Sequence, residues 1–260
     1  MTSPTLIAIA AGLAVVVLAG ALIRAGLERR RLRRRLDGAA AELQRLQTSF
    51  GRFAPNPVIE GILARGTPSD AQRREVTVLF ADLVGFTALS EALDPEVLVT
   101  VLNDYFGRMS RVIGEHSGHV AKFIGDGLMA VFGAFDPNPW QANDSVHAAL
   151  AMQQALAGYN AELTGRGLPV LQVGIGIHCG SAIAGVIGSA ELLEFTVVGS
   201  TVNLAARVER LTRELDGNVL ITESVRTLLD PRFILDPLAP QRVRGVAEAV
   251  TTYAVRGFRE

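Results

Sequence analysis

Two aspartates stand at the ends of apolar stretches where the chain is expected to turn: Asp82, three positions before Gly85, and Asp126, between Gly125 and Gly127. Each alone is typical of a turn or a helix cap, but the two can converge on one point if their stretches are neighbouring strands. Converging carboxylates repel each other and require a cation. Magnesium suits them, because it takes carboxylate and phosphate oxygens and is seldom held by protein ligands alone. The pair therefore indicates metal and phosphate chemistry.

Lys122 is the only lysine among 25 basic residues, and it lies four positions before Asp126. Arginine presents a rigid planar fork, whereas lysine is a compact point charge with rotatable donors. A small acceptor inside a pocket can take the second and exclude the first, so Lys122 is a candidate ligand-binding residue. A surface lysine without a function is the alternative.

Two further groups could bind a ligand. Asn203 and Arg207 are four positions apart on a predicted helix and share one face, where an amide and a guanidinium could hold a ring and a phosphate. Polar side chains that simply face water would show the same spacing. Phosphates could also bind the backbone amides at the helix start that follows Asp82. These amides belong to Val84, Gly85, Phe86 and Thr87.

The elements that must position these groups alternate between strands and helices. Periodicity predicts strands at 75–82, 171–180, 181–188 and 193–198, a hairpin over 119–132 that turns at Gly125-Asp126-Gly127, and helices at 95–116, 143–163 and 201–215. Asn143 or Asp144 is the predicted cap of the second of these helices. The order βαββαβ with extra C-terminal elements predicts an α+β, ferredoxin-like fold, in which the first strand and the hairpin are neighbours.

The N-terminal residues 1–25 predict a transmembrane anchor. Residues 6–23 form an uncharged apolar run of 18, enough for a helix to cross roughly 30 Å of hydrocarbon. Seven arginines follow at positions 24–35 and no basic residue precedes the run, which distinguishes an anchor from a secretory signal. The positive-inside rule then predicts a single-pass protein of the cell membrane, with its other residues cytoplasmic. The single cysteine, Cys179, agrees with a reducing compartment.

The arginine run could instead be an arm that binds nucleic acid. Residues 51–260 hold 17 of the 25 basic residues and 23 of the 26 acidic ones, a formal charge of −6. This acidic body argues against nucleic acid as a partner. Membrane lipid, contacted through the N-terminal helix, is the expected partner of the run.

Apolar residues repeat at steps of three and four between the arginines and the first prolines. They predict that residues 26–50 form a basic juxtamembrane segment and a short coiled coil that pairs two chains, although an amphipathic helix lying on its own domain would show the same pattern. Prolines and glycines mark 51–73 as a linker, and 74–260 is the predicted catalytic domain. The residues of the repeat are Leu36, Ala39, Leu43, Leu46 and Phe50.

Several ordered stretches resemble the catalytic domain of class III nucleotidyl cyclases. They are VTVLFADLVGFTALSE, KFIGDGLMAVF, VGIGIHCG and FTVVGSTVNLAARVE, and FGRFAPNPVIEGIL is similar to the linker that often precedes that domain. The resemblance covers roughly residues 50–255. It implies an enzyme that makes 3',5'-cyclic AMP and pyrophosphate from ATP. A guanylate cyclase and a catalytically silent nucleotide-binding module stay as alternatives.

The resemblance also implies roles for individual residues. Asp82 and Asp126, with the backbone carbonyl of Leu83, would bind two Mg²⁺ or Mn²⁺ ions per site. Asn203 would orient the ribose, and Arg207 would stabilise charge at the reacting phosphorus. Where this family often has a lysine for the terminal phosphates, the nearest match is Arg244.

The base would be bound by Lys122 and Thr196. Families that use guanine typically have glutamate at the Lys122 position, so the resemblance implies ATP. Threonine at position 196 resembles a subclass in which bicarbonate or CO2 stimulation has been described, which implies bicarbonate as a regulator.

Lys122 and Asp126 are separated by about 13 Å on an extended strand, too far for both to bind the same purine nucleotide as neighbours. They can serve two different sites. A head-to-tail homodimer is therefore expected, in which the metal-binding aspartates of one chain face the base- and phosphate-binding residues of the other.

Overall fold

The computed structural model describes residues 71–188, 193–242 and 249–259. We number its elements in chain order. They are β1 (Gln72–Leu83), α1 (Phe86–Ala92), α2 (Pro95–Glu115), β2 (His119–Ile124), β3 (Gly127–Phe132), α3 (Gln141–Gly165), β4 (Val173–Gly188), β5 (Leu193–Val198), α4 (Ser200–Leu211), β6 (Val219–Thr222), α5 (Glu223–Arg226), β7 (Phe233–Pro237) and β8 (Thr252–Phe258).

One mixed sheet organises these elements. Its strands run in the order β2-β3-β1-β4-β6-β8-β7, and β5 pairs with the C-terminal end of β4. All pairs are antiparallel except β4 with β6. The predicted α+β class and the neighbouring positions of β1 and the hairpin are thereby confirmed.

Helices cover both faces of the sheet, and alternation along β1 assigns its residues to them. Leu79, Ala81 and Leu83 face the main core, to which α2 and α3 contribute. Val76 and Val78 face the other way, in a cluster that includes Ala205 of α4. By the same alternation, Asp82 points toward the face that α4 covers.

The predicted elements are largely confirmed, with three differences. The helix predicted over 201–215 already ends at Leu211. The segments 171–180 and 181–188 form one continuous strand, β4. The predicted cap of α3 is wrong, because that helix already begins at Gln141. Inside the helix, the Asn143 amide instead donates to the Leu228 carbonyl at 3.2 Å and accepts from the Asp230 amide at 2.8 Å.

The predicted anchor, coiled coil and linker lie outside the described residues. Within the described ranges, no helix is long and apolar enough to cross a membrane.

Candidate active site

Asp82 is the last residue but one of β1, and its side chain is about one-third exposed (36%). β1 is hydrogen-bonded on one side to β3 and on the other to β4, so the sheet holds the backbone of Asp82 in place. Leu83, whose carbonyl was predicted to assist a metal, follows as the buried end of the strand.

Asp126 occupies the turn between β2 and β3, as predicted. Gly125 before it has a φ of 62°, a conformation that glycine adopts without strain. Gly127 after it packs so closely that an added Cβ would lie 2.6 Å from Asp82 Oδ1. The glycines that flank Asp126 thus let the turn approach Asp82.

The negative charge of Asp126 acts on Asp82. Burial raises the pKa of Asp82, the negative charge of Asp126 raises it further, and Arg213 acts in the opposite direction. Two acids that share a site in this way favour a bound cation.

Arg213, which the sequence reasoning did not single out, lies directly on Asp82. Its Nη2 donates to Asp82 Oδ2 at 2.6 Å, and its Nη1 donates to Glu209 Oε1. Glu209 is buried, which raises the pKa of its carboxyl, while Arg213 lowers it. The i,i+4 spacing of Glu209 and Arg213 is a known helix ion-pair signal, but it does not indicate the contact with Asp82, 131 positions away.

The turn after β1 provides fewer amides than predicted. The Val84 amide donates to the Gln172 carbonyl at 2.9 Å, so it is not available to a phosphate. Gly85 caps the seven-residue helix α1 with a φ of 73°, and Phe86 packs against the core. The amides that could face a ligand are therefore those of Gly85, Phe86 and Thr87.

Lys122 and Thr196 lie on strands that contact each other. Lys122 is on β2, and its Nζ is 3.0 Å from Glu194 Oε1 on β5. Thr196 is two positions further along β5 and is buried, so it shares a face with Glu194. The predicted base-binding pair thus lies in one region, and Glu194 is a third polar group there that sequence reasoning missed.

Asn203 and Arg207 are both on α4, but they do not face Asp82 of their own chain. At 3.6 residues per turn, Arg207 and Glu209 point about 200° apart around the helix. Glu209 faces Arg213 and the sheet, so the face with Asn203 and Arg207 points away from it. Around Asp82 the fold therefore places Asp126, Glu209 and Arg213 of the same chain, and Asn203 and Arg207 do not join them.

The remaining predicted site residue, Arg244, lies outside the described residues. Each of the four histidines contacts another residue of the domain: His116 the Val112 carbonyl, His119 Phe135, His147 Phe233, and His178 Thr222. His178 Nδ1 is 2.8 Å from Thr222 Oγ1.

A divalent cation fits the donor set. The carboxylates of Asp82 and Asp126 lie close together at one end of the neighbouring strands β1 and β3, and a guanidinium already acts as the counter-cation of the first. Among the described residues no group of three or more histidine, cysteine, aspartate or glutamate side chains could hold a metal ion. Two carboxylates with substrate phosphates completing the shell are typical of magnesium sites.

Comparison with known proteins agrees with this geometry. Residues 69–257 match the family described as the adenylate and guanylate cyclase catalytic domain. The chain belongs to this family. The match covers the described sheet except Phe258, the last residue of β8, so this arrangement is the fold of a cyclase catalytic domain. Members of this family generally use divalent metals.

Two named relatives of the chain are adenylate cyclases. The cyclase domain is 40% identical over 226 residues to an adenylate cyclase of Anabaena cylindrica, covering 83% of this chain and 44% of the relative. It is 30% identical to adenylate cyclase 1 of Rhizobium meliloti, covering 85% of this chain and 34% of that protein. The chain therefore spans less than half the length of these relatives.

Solved structures similar to the chain include both adenylyl and guanylyl cyclases. The guanylyl cyclase Cya2 is 36% identical with a TM-score of 0.69, and the match covers 74% of this chain and 96% of that one. The adenylyl cyclase CyaB from P. aeruginosa is 29% identical with a TM-score of 0.68, covering 74% and 98%. Similarity of the whole fold therefore does not distinguish ATP from GTP as the substrate, and the residues near Lys122 must be considered for that.

Proposed function

We propose that this cyclase domain converts ATP to 3',5'-cyclic AMP and pyrophosphate. The observation that carries the proposal is that Asp82, near the end of β1, and Asp126, in the turn between β2 and β3, lie close enough for their charges to interact. The named adenylate cyclases among its relatives support the same activity.

Asp82 and Asp126 would hold two Mg²⁺ or Mn²⁺ ions, with the Leu83 carbonyl as a further ligand. When bound, such ions lower the pKa of a ribose hydroxyl and stabilise charge on phosphate oxygens. The amides of Gly85, Phe86 and Thr87 would bind the triphosphate.

Two side chains of α4 would act on the reacting part of the nucleotide. Asn203 would orient the ribose so that its 3'-oxygen faces the α-phosphorus in line with the departing pyrophosphate. Arg207 would stabilise the negative charge that develops on the phosphorus oxygens during the attack.

Lys122 and Thr196 would determine the choice of base. An ammonium donates to the N1 of adenine, whereas guanine carries a proton on N1 and offers no acceptor there. Glu194, near the start of β5 and two positions before Thr196, holds the ammonium by an ion pair. This supports ATP over GTP as the substrate, and guanylate cyclase activity stays as the second candidate because a guanylyl cyclase is 36% identical to the chain.

A homodimer would complete each site. The face of α4 that carries Asn203 and Arg207 points away from the chain's own Asp82, so a second copy, arranged head to tail, would supply these two residues. Each of the two equivalent pockets would then combine the aspartates of one chain with Lys122, Thr196, Asn203 and Arg207 of the other.

Several further proposals rest on sequence alone. Residues 1–25 would anchor the protein in the cell membrane with the cyclase domain in the cytoplasm, and residues 26–50 would pair two chains. Arg244 would bind the terminal phosphates, and bicarbonate would regulate activity through the site that contains Thr196. A membrane-fractionation comparison of the full chain with residues 51–260 tests the anchor.

The activity itself is tested by incubating the purified chain with Mn²⁺ and either ATP or GTP and identifying the product. We expect cyclic AMP from ATP and much less cyclic GMP from GTP. A preference for GTP would support the guanylate cyclase instead. Binding of ATP without any cyclic product would indicate a nucleotide-binding signalling module.

A further inference from the structure

Arg213 joins one metal-binding carboxylate to the end of α4. Its guanidinium bridges Asp82 and Glu209. The exposed fraction of the side chain is 32% for Arg213, 36% for Asp82 and 7% for Glu209. A bridge with one nearly buried carboxylate differs from an ordinary surface ion pair, which contributes little. Without Arg213, Glu209 would be a buried carboxylate with no partner among the described residues.

The two oxygens of Asp82 face different neighbours. Oδ2 accepts from Arg213. Oδ1 faces the hairpin, because the missing Cβ of Gly127 would lie 2.6 Å from it. Oδ1 is therefore the oxygen on the side of Asp126, and the guanidinium leaves it open.

The end of α4 is fixed against the sheet, so the bridge has a defined position. A Cβ on Gly176 would lie 2.1 Å from the Glu209 amide nitrogen, and one on Gly174 would lie 2.1 Å from Thr212 Oγ1. Gly174 is also the residue directly paired with Asp82 between β1 and β4. Two glycines of β4 thus let the last turn of α4 approach closely enough for Arg213 to reach Asp82.

We propose that Arg213 is a positioning residue that holds Asp82 Oδ2 so that Oδ1 turns toward Asp126 and the divalent cation. The inference rests on the proposed metal-dependent function. A carboxylate that binds a cation through one oxygen is commonly oriented by a hydrogen bond to the other, and loss of such a bond typically weakens metal binding 10- to 100-fold.

The test measures Mn²⁺ binding directly, by the loss of the electron paramagnetic resonance signal of free Mn²⁺. The full chain is titrated with MnCl2 in the presence of 2',3'-dideoxy-ATP, which lacks the attacking hydroxyl, and the Mn²⁺ bound by the nucleotide alone is subtracted with a titration without protein. We expect Arg213→Gln to weaken Mn²⁺ binding about tenfold and Arg213→Lys to recover part of it, because an ammonium can still donate to Asp82. The Mn²⁺ concentration for half-maximal activity should rise in parallel.

Two variants separate positioning from folding. Arg213→Gln leaves Glu209 buried without a partner, which destabilises the fold. The double variant Arg213→Gln with Glu209→Gln removes that charge, so it should unfold near the wild-type temperature and still bind Mn²⁺ weakly. Arg226→Gln is the matched control, since Arg226 forms an exposed ion pair with Glu223 on α5, and it should bind Mn²⁺ normally.

The possible failures are distinguishable. Unchanged Mn²⁺ binding in both Arg213 variants would overturn the positioning role and leave the proposed function intact. Tighter binding would also overturn it, because Arg213 would then compete with the cation. If the wild type binds no Mn²⁺, or if Asp126→Asn binds it equally well, the metal site fails and both proposals fall.

Discussion

Lys122 forms an ion pair with Glu194, with 3.0 Å between Nζ and Oε1. The pair joins β2, at the edge of the sheet, to β5, which carries Thr196 two positions beyond Glu194. The ammonium that would bind the base is therefore held next to the other candidate base-binding residue. This contact also determines how the base preference must be changed.

Lys122→Glu with Thr196→Cys should weaken the preference for ATP, because a carboxylate accepts from guanine N1 and N2 where the ammonium donated to adenine. A glutamate at position 122 would face Glu194 and be repelled, so Glu194→Gln is added to the variant. We expect the ratio of kcat/KM for ATP to that for GTP to fall about tenfold or more, the size of a charged hydrogen bond.

Glu194→Gln alone is the control for this experiment, and it should retain the preference for ATP. An unchanged ratio in the triple variant, with the protein folded, would remove Lys122 from the base pocket.

Asp126→Asn should abolish activity and also remove the stabilisation of the fold by Mn²⁺. For the wild type, Mn²⁺ at 100 times its Kd should raise the unfolding free energy by about 2.7 kcal/mol. In EDTA the variant should be at least as stable as the wild type, because it relieves the repulsion of Asp82. Solvent screening limits that gain to a few tenths of a kcal/mol.

Thermal unfolding with and without Mn²⁺ measures both effects. Asp104→Asn on α2 removes an exposed carboxylate elsewhere and serves as the control. An Asp126→Asn protein that still gains stability from Mn²⁺ would place the cation at other residues.

His178 should make stability fall as the pH is lowered. Burial lowers its pKa to about 4, and its ring nitrogen contacts Thr222 and Ser224. Below about pH 6.5, His178 is protonated in the unfolded chain but stays neutral in the folded chain. The free energy of unfolding therefore begins to fall near pH 6.5 and continues to fall to about pH 4. Over this range the loss is about 3 kcal/mol, of which about 2 kcal/mol falls between pH 6.5 and pH 5.

Urea unfolding at pH 7 and pH 5 checks this for the wild type and His178→Gln. Glutamine keeps a hydrogen-bonding side chain but does not titrate, so the variant should lose about 2 kcal/mol less than the wild type on acidification. Equal losses in the two proteins would mean that His178 titrates alike in the folded and unfolded states.

Local patterns predicted the elements and the two aspartates, because strand alternation and a glycine-flanked turn are properties of neighbouring residues. What sequence reasoning missed depends on distant contacts. The Val84 amide is taken by Gln172, Asn143 binds the segment after α5 instead of capping a helix, and Arg213 reaches Asp82 across 131 positions. Nothing in the local sequence of these residues reports such partners.

The last prediction tests whether each active site combines two chains. Asp126→Asn and Arg207→Ala proteins should each be nearly inactive, and mixing them should restore activity. Asp126 is preferred to Asp82 as the first lesion, because loss of Asp82 would free Arg213 and disturb α4, the helix that carries Arg207. In a mixed dimer one pocket receives both lesions, while the other combines the intact Asp126 of one chain with the intact Arg207 of its partner.

Random pairing makes about half of the dimers mixed, each with one intact site of two, so activity should approach roughly a quarter of that of the wild type. Cyclic AMP formation is measured after subunit exchange, and exchange is verified with two differently labelled chains. Removal of residues 1–50 should lower the recovery at low protein concentration if the heptad segment supplies a second contact. Mixtures that exchange subunits yet stay as inactive as the separate variants would place Asp126 and Arg207 in the site of one chain, against the direction in which Arg207 points from α4.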